Sequence, residues 1–129
     1  MNETTDIVEH GTTLGFSETV ERLTRAIEAA GMAVFARVDH AAAAAAVGLA
    51  LPPTLVLIYG NARGGTPIMR DHPRAALDLP LRVLVREGDD GSVRVSFHPI
   101  VPVLVRDGVA PAAAHRLEPG QELLLAAIR

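Results

Sequence analysis

The fold class of this chain is decided by residues 81–97, LRVLVREGDDGSVRVSF. Apolar residues alternate with polar or charged ones on both sides of the turn Gly88-Asp89-Asp90-Gly91, the pattern of two half-buried strands joined by a tight turn. The stretch therefore predicts an antiparallel hairpin. Strands and helices alternate before the hairpin, which alone would suit an α/β fold with a parallel sheet. The antiparallel hairpin does not fit a fully parallel sheet, so it favours an α+β fold.

The clearest helix precedes the hairpin. Phe16, Val20, Leu23 and Ile27 recur with the 3.6-residue period of a helix that buries one face. Gly31 follows at the position where a glycine commonly ends a helix. The pattern predicts an amphipathic helix that begins near Phe16 and ends before Gly31.

Three further strands and a second helix are expected upstream of the hairpin. Residues 5–10 form a weak strand candidate, and residues 32–38 a stronger one. Asp39 is suited to cap a helix over residues 40–47, where six consecutive alanines favour helix. The continuous apolar run 55–59 predicts a central strand that is buried on both faces.

The remaining segments are less regular. Between Gly60 and Leu79 we expect an irregular chain with two short helical turns. One begins at Thr66-Pro67 and the other at His72-Pro73, because a capping residue followed by proline is a common helix start. The Pro-interrupted tail, residues 99–129, predicts two or three short helices.

These elements predict one α+β domain spanning residues 1–129. It contains a single mixed or antiparallel sheet of about five strands with helices packed on it, an α/β sandwich. A sheet of this size leaves free edges, and small domains commonly cover an edge by pairing with a second copy. We therefore expect a homodimer.

Composition excludes several function classes. Without Cys, the chain has no disulfides, thiolate metal ligands or thiol nucleophiles. It lacks an apolar run of about 18 residues and a signal-peptide pattern, so we expect a cytoplasmic protein that does not bind membranes. The net charge is −3 and the basic residues are scattered, which argues against nucleic-acid binding. All twelve basic residues are Arg, a bias typical of a GC-rich bacterial genome.

Two stretches carry a resemblance to a known family. Residues 58–69 contain a strand that ends in Gly-Asn and is followed by Thr-Pro-Ile-Met, and residues 78–85 open a strand with Leu-Pro-Leu. With residues 95–99, they resemble the domain of unknown function 302 family. The resemblance covers about residues 5–108 and leaves 109–129 as a C-terminal helical extension. It implies a compact α/β sandwich, often dimeric, with no settled biochemical activity.

The loop from Gly60 to Thr66 is the main candidate site. It contains three glycines and Arg63, leaves a predicted buried strand, and leads toward a helix start whose free amides are suited to hold an anion. The alternative is a tight connection in which Gly and Asn serve only the backbone. The candidate ligand-binding residues are Tyr59, Asn61, Arg63, Thr66, Met69, Leu79, Arg82 and His98.

Catalytic and metal motifs are weak. The five histidines have no spacing typical of metal ligands, so neither a metal nor another cofactor is expected. No serine lies in a nucleophile elbow. Arg82, Arg86 and Arg94 share the outer face of the hairpin, where they either line a groove for an acidic ligand or make cross-strand pairs.

Together these patterns favour a non-catalytic homodimer that binds a small molecule, with an anion as the first candidate. One alternative is a small hydrolase or isomerase with His98 or His72 as general base. The other is a protein–protein interaction module in which the glycine-containing loop forms the interface.

Overall fold

The sheet has five strands in the order β1-β5-β4-β3-β2, and every neighbouring pair is antiparallel. The computed structural model describes residues 7–129. The predicted α+β fold with one sheet of about five strands is confirmed. The strands are β1 (Val8–Thr12), β2 (Ala33–Asp39), β3 (Thr54–Gly60), β4 (Leu81–Glu87) and β5 (Val93–Phe97).

Six α-helices and one 3₁₀ helix complete the described chain. Three of the α-helices lie in the tail, as predicted. None of the helices within residues 7–129 combines the length and apolar character needed to cross a membrane. The helices are α1 (Phe16–Ala29), α2 (His40–Ala46), α3 (Ala62–Asp71), α4 (Ile100–Arg106), α5 (Pro111–His115) and α6 (Pro119–Ala127), with the 3₁₀ helix at Pro73–Asp78.

The core lies on one side of the sheet, called here the inner face. The alternation predicted for the hairpin is confirmed, since Val83, Val85 and Val95 are almost fully buried. From α1, Leu23 and Ile27 are fully buried and belong to the same apolar cluster. Burial of such side chains stabilises a fold by about 1.5–3 kcal/mol each, so this face supplies much of the stability.

Two helix ends follow the predicted local chemistry. Gly31 has a φ of 81°, the left-handed conformation that ends α1 and that a glycine adopts without strain. The carboxylate of Asp39 accepts a hydrogen bond from the Ala42 amide at 2.9 Å. Asp39 therefore caps α2, as predicted.

The first strand differs in position from its prediction. β1 begins at Val8 and ends at Thr12, two residues beyond His10. Thr5 and Asp6, which the prediction included, lie outside the described residues. The Thr12 hydroxyl donates to the Ile128 carbonyl at 2.9 Å, so a long-range contact joins the end of β1 to the end of the chain.

The prediction that the apolar run in β3 is buried on both faces is wrong. Leu57 is fully buried, but Val56 and Ile58 are only partly buried. They project from the opposite side of the sheet, the outer face, where Val56 lies between Val38 and Leu84 in register. These apolar neighbours give Val56 partial cover, which explains why the run has no polar residues.

The expected helix start at Thr66 is also wrong. The helix α3 begins at Ala62, five residues before the expected first position Pro67, so Thr66 and Pro67 lie within it. The side chain of Asn61 accepts a hydrogen bond from the Arg63 amide at 2.9 Å and so caps the helix. Asn is as good a cap as Thr, and here the earlier one is used despite two glycines in the first turns. The second expected turn, with Pro73 in its first position, is confirmed as the 3₁₀ helix.

Substitution of the two candidate caps distinguishes the two helix starts. We expect Asn61→Ala to lower the free energy of unfolding by about 1 kcal/mol, because the Arg63 amide loses its partner. Thr66→Ala, within the helix and exposed, is expected to change it by less than about 0.5 kcal/mol. Urea unfolding measures both values, and a larger loss for Thr66→Ala would contradict this account of α3.

The Tyr59 hydroxyl ties the sheet to α6. Tyr59 is fully buried on the inner face, and its hydroxyl donates to the Gly120 carbonyl at 2.8 Å. Burial raises the pKa of Tyr59 above its ordinary value near 10, so the phenol stays protonated in the folded state. The contact fixes where the first turn of α6 lies on the sheet.

Loss of this hydroxyl has a testable cost. We expect Tyr59→Phe to lower the free energy of unfolding by about 1–3 kcal/mol at neutral pH, because the Gly120 carbonyl loses its donor. The raised pKa means that the wild-type protein loses stability as pH rises above about 10, where the unfolded phenol ionises first. Urea unfolding across this pH range checks both effects. The Phe variant should show a smaller alkaline loss, and an equal loss would contradict the assignment to Tyr59.

Candidate functional site

A cavity of about 380 Å³ lies beneath α3. We call it the α3 cavity. Its walls come from α3, the start of β2, the segment before β4, and the chain from Arg116 to Leu123. The residues that line it are Ala30, Met32, Phe35, Gly60, Asn61, Ala62, Gly64, Gly65, Thr66, Met69, Leu79, Pro80, Leu81, Arg116, Leu117, Pro119, Gly120 and Leu123.

Glycines let the walls of the α3 cavity approach one another. A Cβ on Gly120 would lie 2.9 Å from Leu81 Cδ1, so a side chain there would require the Leu81 side chain to shift. A Cβ on Gly65 would meet Met69 Cε at 3.6 Å and Leu79 Cδ1 at 4.0 Å, which are ordinary contact distances. A methyl group is therefore tolerated at position 65, and a longer side chain there would occupy the cavity.

The lining of the α3 cavity is mainly apolar. Of its eighteen residues, only Asn61, Thr66 and Arg116 have polar or charged side chains. Small-molecule sites commonly combine such an apolar surface with a few polar groups that fix orientation. The cavity thus has the size and surface of a site for a small molecule with an apolar body.

Three backbone amides that follow Asn61 in the expected anion seat are already hydrogen-bonded within α3. The Asn61 side chain accepts from the Arg63 amide, and the Asn61 carbonyl accepts from the amides of Gly64 and Gly65, both at 3.0 Å. Thr66 lies inside α3, so its amide is not at a helix start. These donors are therefore engaged within the helix rather than directed at a ligand.

The structure divides the candidate residues between several places. Four of them, Asn61, Thr66, Met69 and Leu79, line the α3 cavity. Tyr59 lies in the core with its hydroxyl on Gly120, and it is not among the lining residues. Arg63 is exposed and lies outside the lining. The remaining two, Arg82 and His98, line a second cavity.

This second cavity, of about 430 Å³, lies between the start of β4 and α4. Asp78 and Arg106 line it together with Arg82 and His98. His72 has a different environment: it precedes the 3₁₀ helix and lines neither of these two cavities. The two candidate bases of the enzyme alternative are therefore in separate places, and of the two only His98 lines one of these cavities.

The outer-face arginines make a local charge cluster with β1. Arg86 Nη2 lies 3.2 Å from Glu9 Oε2, and the Ser96 hydroxyl donates to the same oxygen at 2.7 Å. The Ser96 hydrogen bond, with a smaller contribution from Arg86, lowers the pKa of Glu9. For Arg86, this supports the cross-strand-pair interpretation. Glu9 also offsets the repulsion between Arg86 and Arg94, which are opposite each other in register.

The candidate residues predicted from the sequence include only four of the eighteen that line the α3 cavity. Phe35 on the edge strand and Arg116 after α5 belong to its lining, yet neither lies in a motif. They reach α3 from distant parts of the chain, which only the three-dimensional packing brings together. Within residues 7–129, no group of three His, Asp or Glu side chains is arranged to hold a metal ion.

Comparison with curated proteins gives a partial match. The chain is 47% identical over 77 residues to "Fluoride-specific ion channel FluC 1" of Brucella suis biovar 1 and to "Fluoride-specific ion channel FluC 2" of Brucella melitensis biotype 1. The match covers 60% of this chain but only 30% and 28% of those proteins. This chain thus spans less than a third of the length of the curated relatives that it matches.

The fold and the family are shown by two further comparisons. The structure is similar to the crystal structure of uncharacterized conserved protein DUF302 from Bacillus stearothermophilus, with a TM-score of 0.81. The match covers 95% of this chain and 94% of the other, at 17% identity. The family model of "Domain of unknown function DUF302" matches residues 8–126, from β1 into α6. This chain is therefore a member of the DUF302 family.

Proposed function

We propose that this protein is a cytoplasmic, non-catalytic homodimer that binds a small amphiphilic molecule in the α3 cavity. The observation that carries the proposal is a cavity of about 380 Å³ with an apolar lining and three polar side chains. Cavities of this size and surface enclose small ligands in many proteins. Membership in the DUF302 family is compatible with such a role and does not specify it.

The lining indicates the chemistry of the ligand. Met32, Met69 and Leu123 offer flexible or branched apolar surface, which suits a hydrocarbon body. Arg116 is the only charged residue of the lining, and a guanidinium favours a carboxylate or a similar acid. We therefore expect a short-chain amphiphile with one acidic end, and octanoate is a suitable probe.

Filling the α3 cavity tests the proposal. We expect octanoate to bind the wild-type protein saturably, and Gly65→Leu to weaken it by at least about tenfold because the added side chain occupies the space. Gly65→Ala is the matched control, since its methyl group meets Met69 and Leu79 at ordinary distances. Isothermal titration calorimetry measures the affinities. Absence of saturable binding, or equal binding by the Leu variant, would overturn the proposal.

The acidic end of the ligand has its own test. We expect Arg116→Gln to weaken octanoate binding roughly two- to fivefold, because Arg116 is exposed and its ion pair is screened by water. Binding of 1-octanol, which has no charge, should be unchanged by this substitution. The same calorimetric titration compares the two probes, and an equal loss for both would exclude a charge-specific role for Arg116.

The homodimer is proposed from the edge strand β2. Six of its seven residues are exposed, and within residues 7–129 no strand pairs with its outer edge. Phe35 and Val38 are 56% and 37% exposed there, an unusual apolar content for a solvated edge. Phe35 lies at an irregularity in the pairing of β2 with β3, and the register is regular from Ala36 to Asp39. A second copy that pairs antiparallel with this regular segment would extend the sheet and lie beside the exposed ring of Phe35.

A charge placed on this edge tests the dimer. We expect the wild-type protein to be a dimer in light scattering, and Val38→Lys to raise the dimer dissociation constant by at least about tenfold because it adds a charge to the paired edge. Leu77→Lys is the control, since Leu77 is 82% exposed and belongs to the 3₁₀ helix rather than to β2. A monomeric wild-type protein, or a dimer that Val38→Lys leaves intact, would contradict the proposed interface.

The other candidate functions have less support. The enzyme alternative has His98 in a cavity with charged neighbours, but no Ser hydroxyl lies among the residues that line it. The interaction alternative expected the loop from Gly60 to Thr66 to form an interface. Most of that segment belongs to α3, and the exposed edge strand β2 is the better candidate for an interface. Fluoride transport is the named activity of proteins more than three times as long as the segment they share with this chain. The proposal for this chain therefore depends on its own cavity.

A further inference from the structure

The second cavity, here called the β4–α4 cleft, concentrates charge that the proposed ligand site does not use. Arg82 and Arg106 contribute two guanidinium groups, His98 an imidazole and Asp78 one carboxylate. The apolar part of its wall includes Val103 of α4. This polar cleft of about 430 Å³ contrasts with the mainly apolar α3 cavity.

The fold brings these residues to one end of two neighbouring strands. The pairing of β4 with β5 ends at Leu84 and Ser96. Arg82 lies two residues before Leu84, and His98 directly follows the last residue of β5. Arg106 then reaches the same place from the last turn of α4. Three separate elements thus direct basic side chains to one cleft.

One wall of the cleft is held by a buried amide. Gln121 is 4% exposed, and its side chain accepts from the Ile100 amide at 3.0 Å and donates to the His98 carbonyl at 2.8 Å. These two hydrogen bonds fix the connection between β5 and α4. The backbone that carries His98 is therefore ordered before any ligand binds, which lowers the entropic cost of binding.

A second carboxyl group, that of Asp107, adjoins the acidic side of the cleft. Asp107, next to Arg106, lies beside Asp78, and a hydrogen bond between the two carboxyl groups raises the pKa of Asp107. Its Oδ2 atom is buried and has no hydrogen-bonding partner among the described residues. The residues that line the cleft include two guanidinium groups and one carboxylate, so their formal charge is positive.

We propose that the β4–α4 cleft is a second binding site, for a small phosphate-like oxyanion. Arg82 and Arg106 hold the anion with charge-assisted hydrogen bonds, since the fork of a guanidinium matches the oxygens of phosphate. His98 supplies a further donor. This site is distinct from the α3 cavity, with which it shares only the walls formed by Pro80 and Leu81.

Inorganic phosphate is the probe that tests this site. In calorimetric titration at constant ionic strength and neutral pH, the wild-type protein should bind phosphate saturably. Arg82→Gln and Arg106→Gln should each weaken binding by about fivefold or more. Arg94→Gln is the matched control, because Arg94 is an exposed outer-face arginine outside the cleft. Equal weakening by Arg94→Gln, or binding without saturation, would overturn the proposal.

Removal of the Asp78 carboxylate should change phosphate binding in the direction opposite to removal of either arginine. Asp78→Asn removes a negative charge from the cleft, so phosphate binding should become several-fold tighter; unchanged or weaker binding would contradict an oxyanion site. Gly65→Leu should leave phosphate binding unchanged, and Arg106→Gln should leave octanoate binding unchanged. If octanoate does not bind, only the proposal for the α3 cavity fails. If phosphate does not bind, only the proposal for the β4–α4 cleft fails.

Discussion

The hydrogen bond from the Tyr59 hydroxyl to the Gly120 carbonyl is the contact on which both cavities depend. It joins the buried face of β3 to the first turn of α6. Gly120 lines the α3 cavity, while the next residue, Gln121, lines the β4–α4 cleft and holds its wall. One turn of one helix thus positions parts of two sites. A shift of α6 along the sheet would alter both, because protein interiors are close-packed and transmit displacement.

The two cavities differ in chemistry although they share the walls at Pro80 and Leu81. On one side, α3 and the chain near Leu117 supply apolar surface and glycines. On the other side, α4 and the ends of the hairpin supply guanidinium and carboxyl groups. Leu81 is buried and lines both cavities, whereas Arg82, the next residue, is exposed and lines only the cleft. The difference in polarity therefore comes from the residues that each cavity does not share with the other.

Sequence patterns predicted the parts of this fold that depend on local chemistry. The alternation in the hairpin, the apolar face of α1 and the Asp39 cap all depend on residues a few positions apart, and all three are confirmed. The start of α3 was missed because Asn61 and Thr66 are both good caps, and local preference does not choose between them. The cavity wall at Arg116 could not be predicted, since it depends on how distant helices pack.

The exposed edge of β2 and the α3 cavity have Phe35 in common. Phe35 lines the cavity, and its ring lies 3.8 Å from the position of a Cβ on Gly60, yet 56% of its surface is exposed. Under the proposed function, a second copy that pairs with β2 would cover this exposed part. Ligand binding and dimerisation would then act on the same side chain, and any effect of one on the other must be reciprocal. The edge strand would therefore serve as both an interface and a wall of the site, which would give the apolar ring a role at so exposed a position.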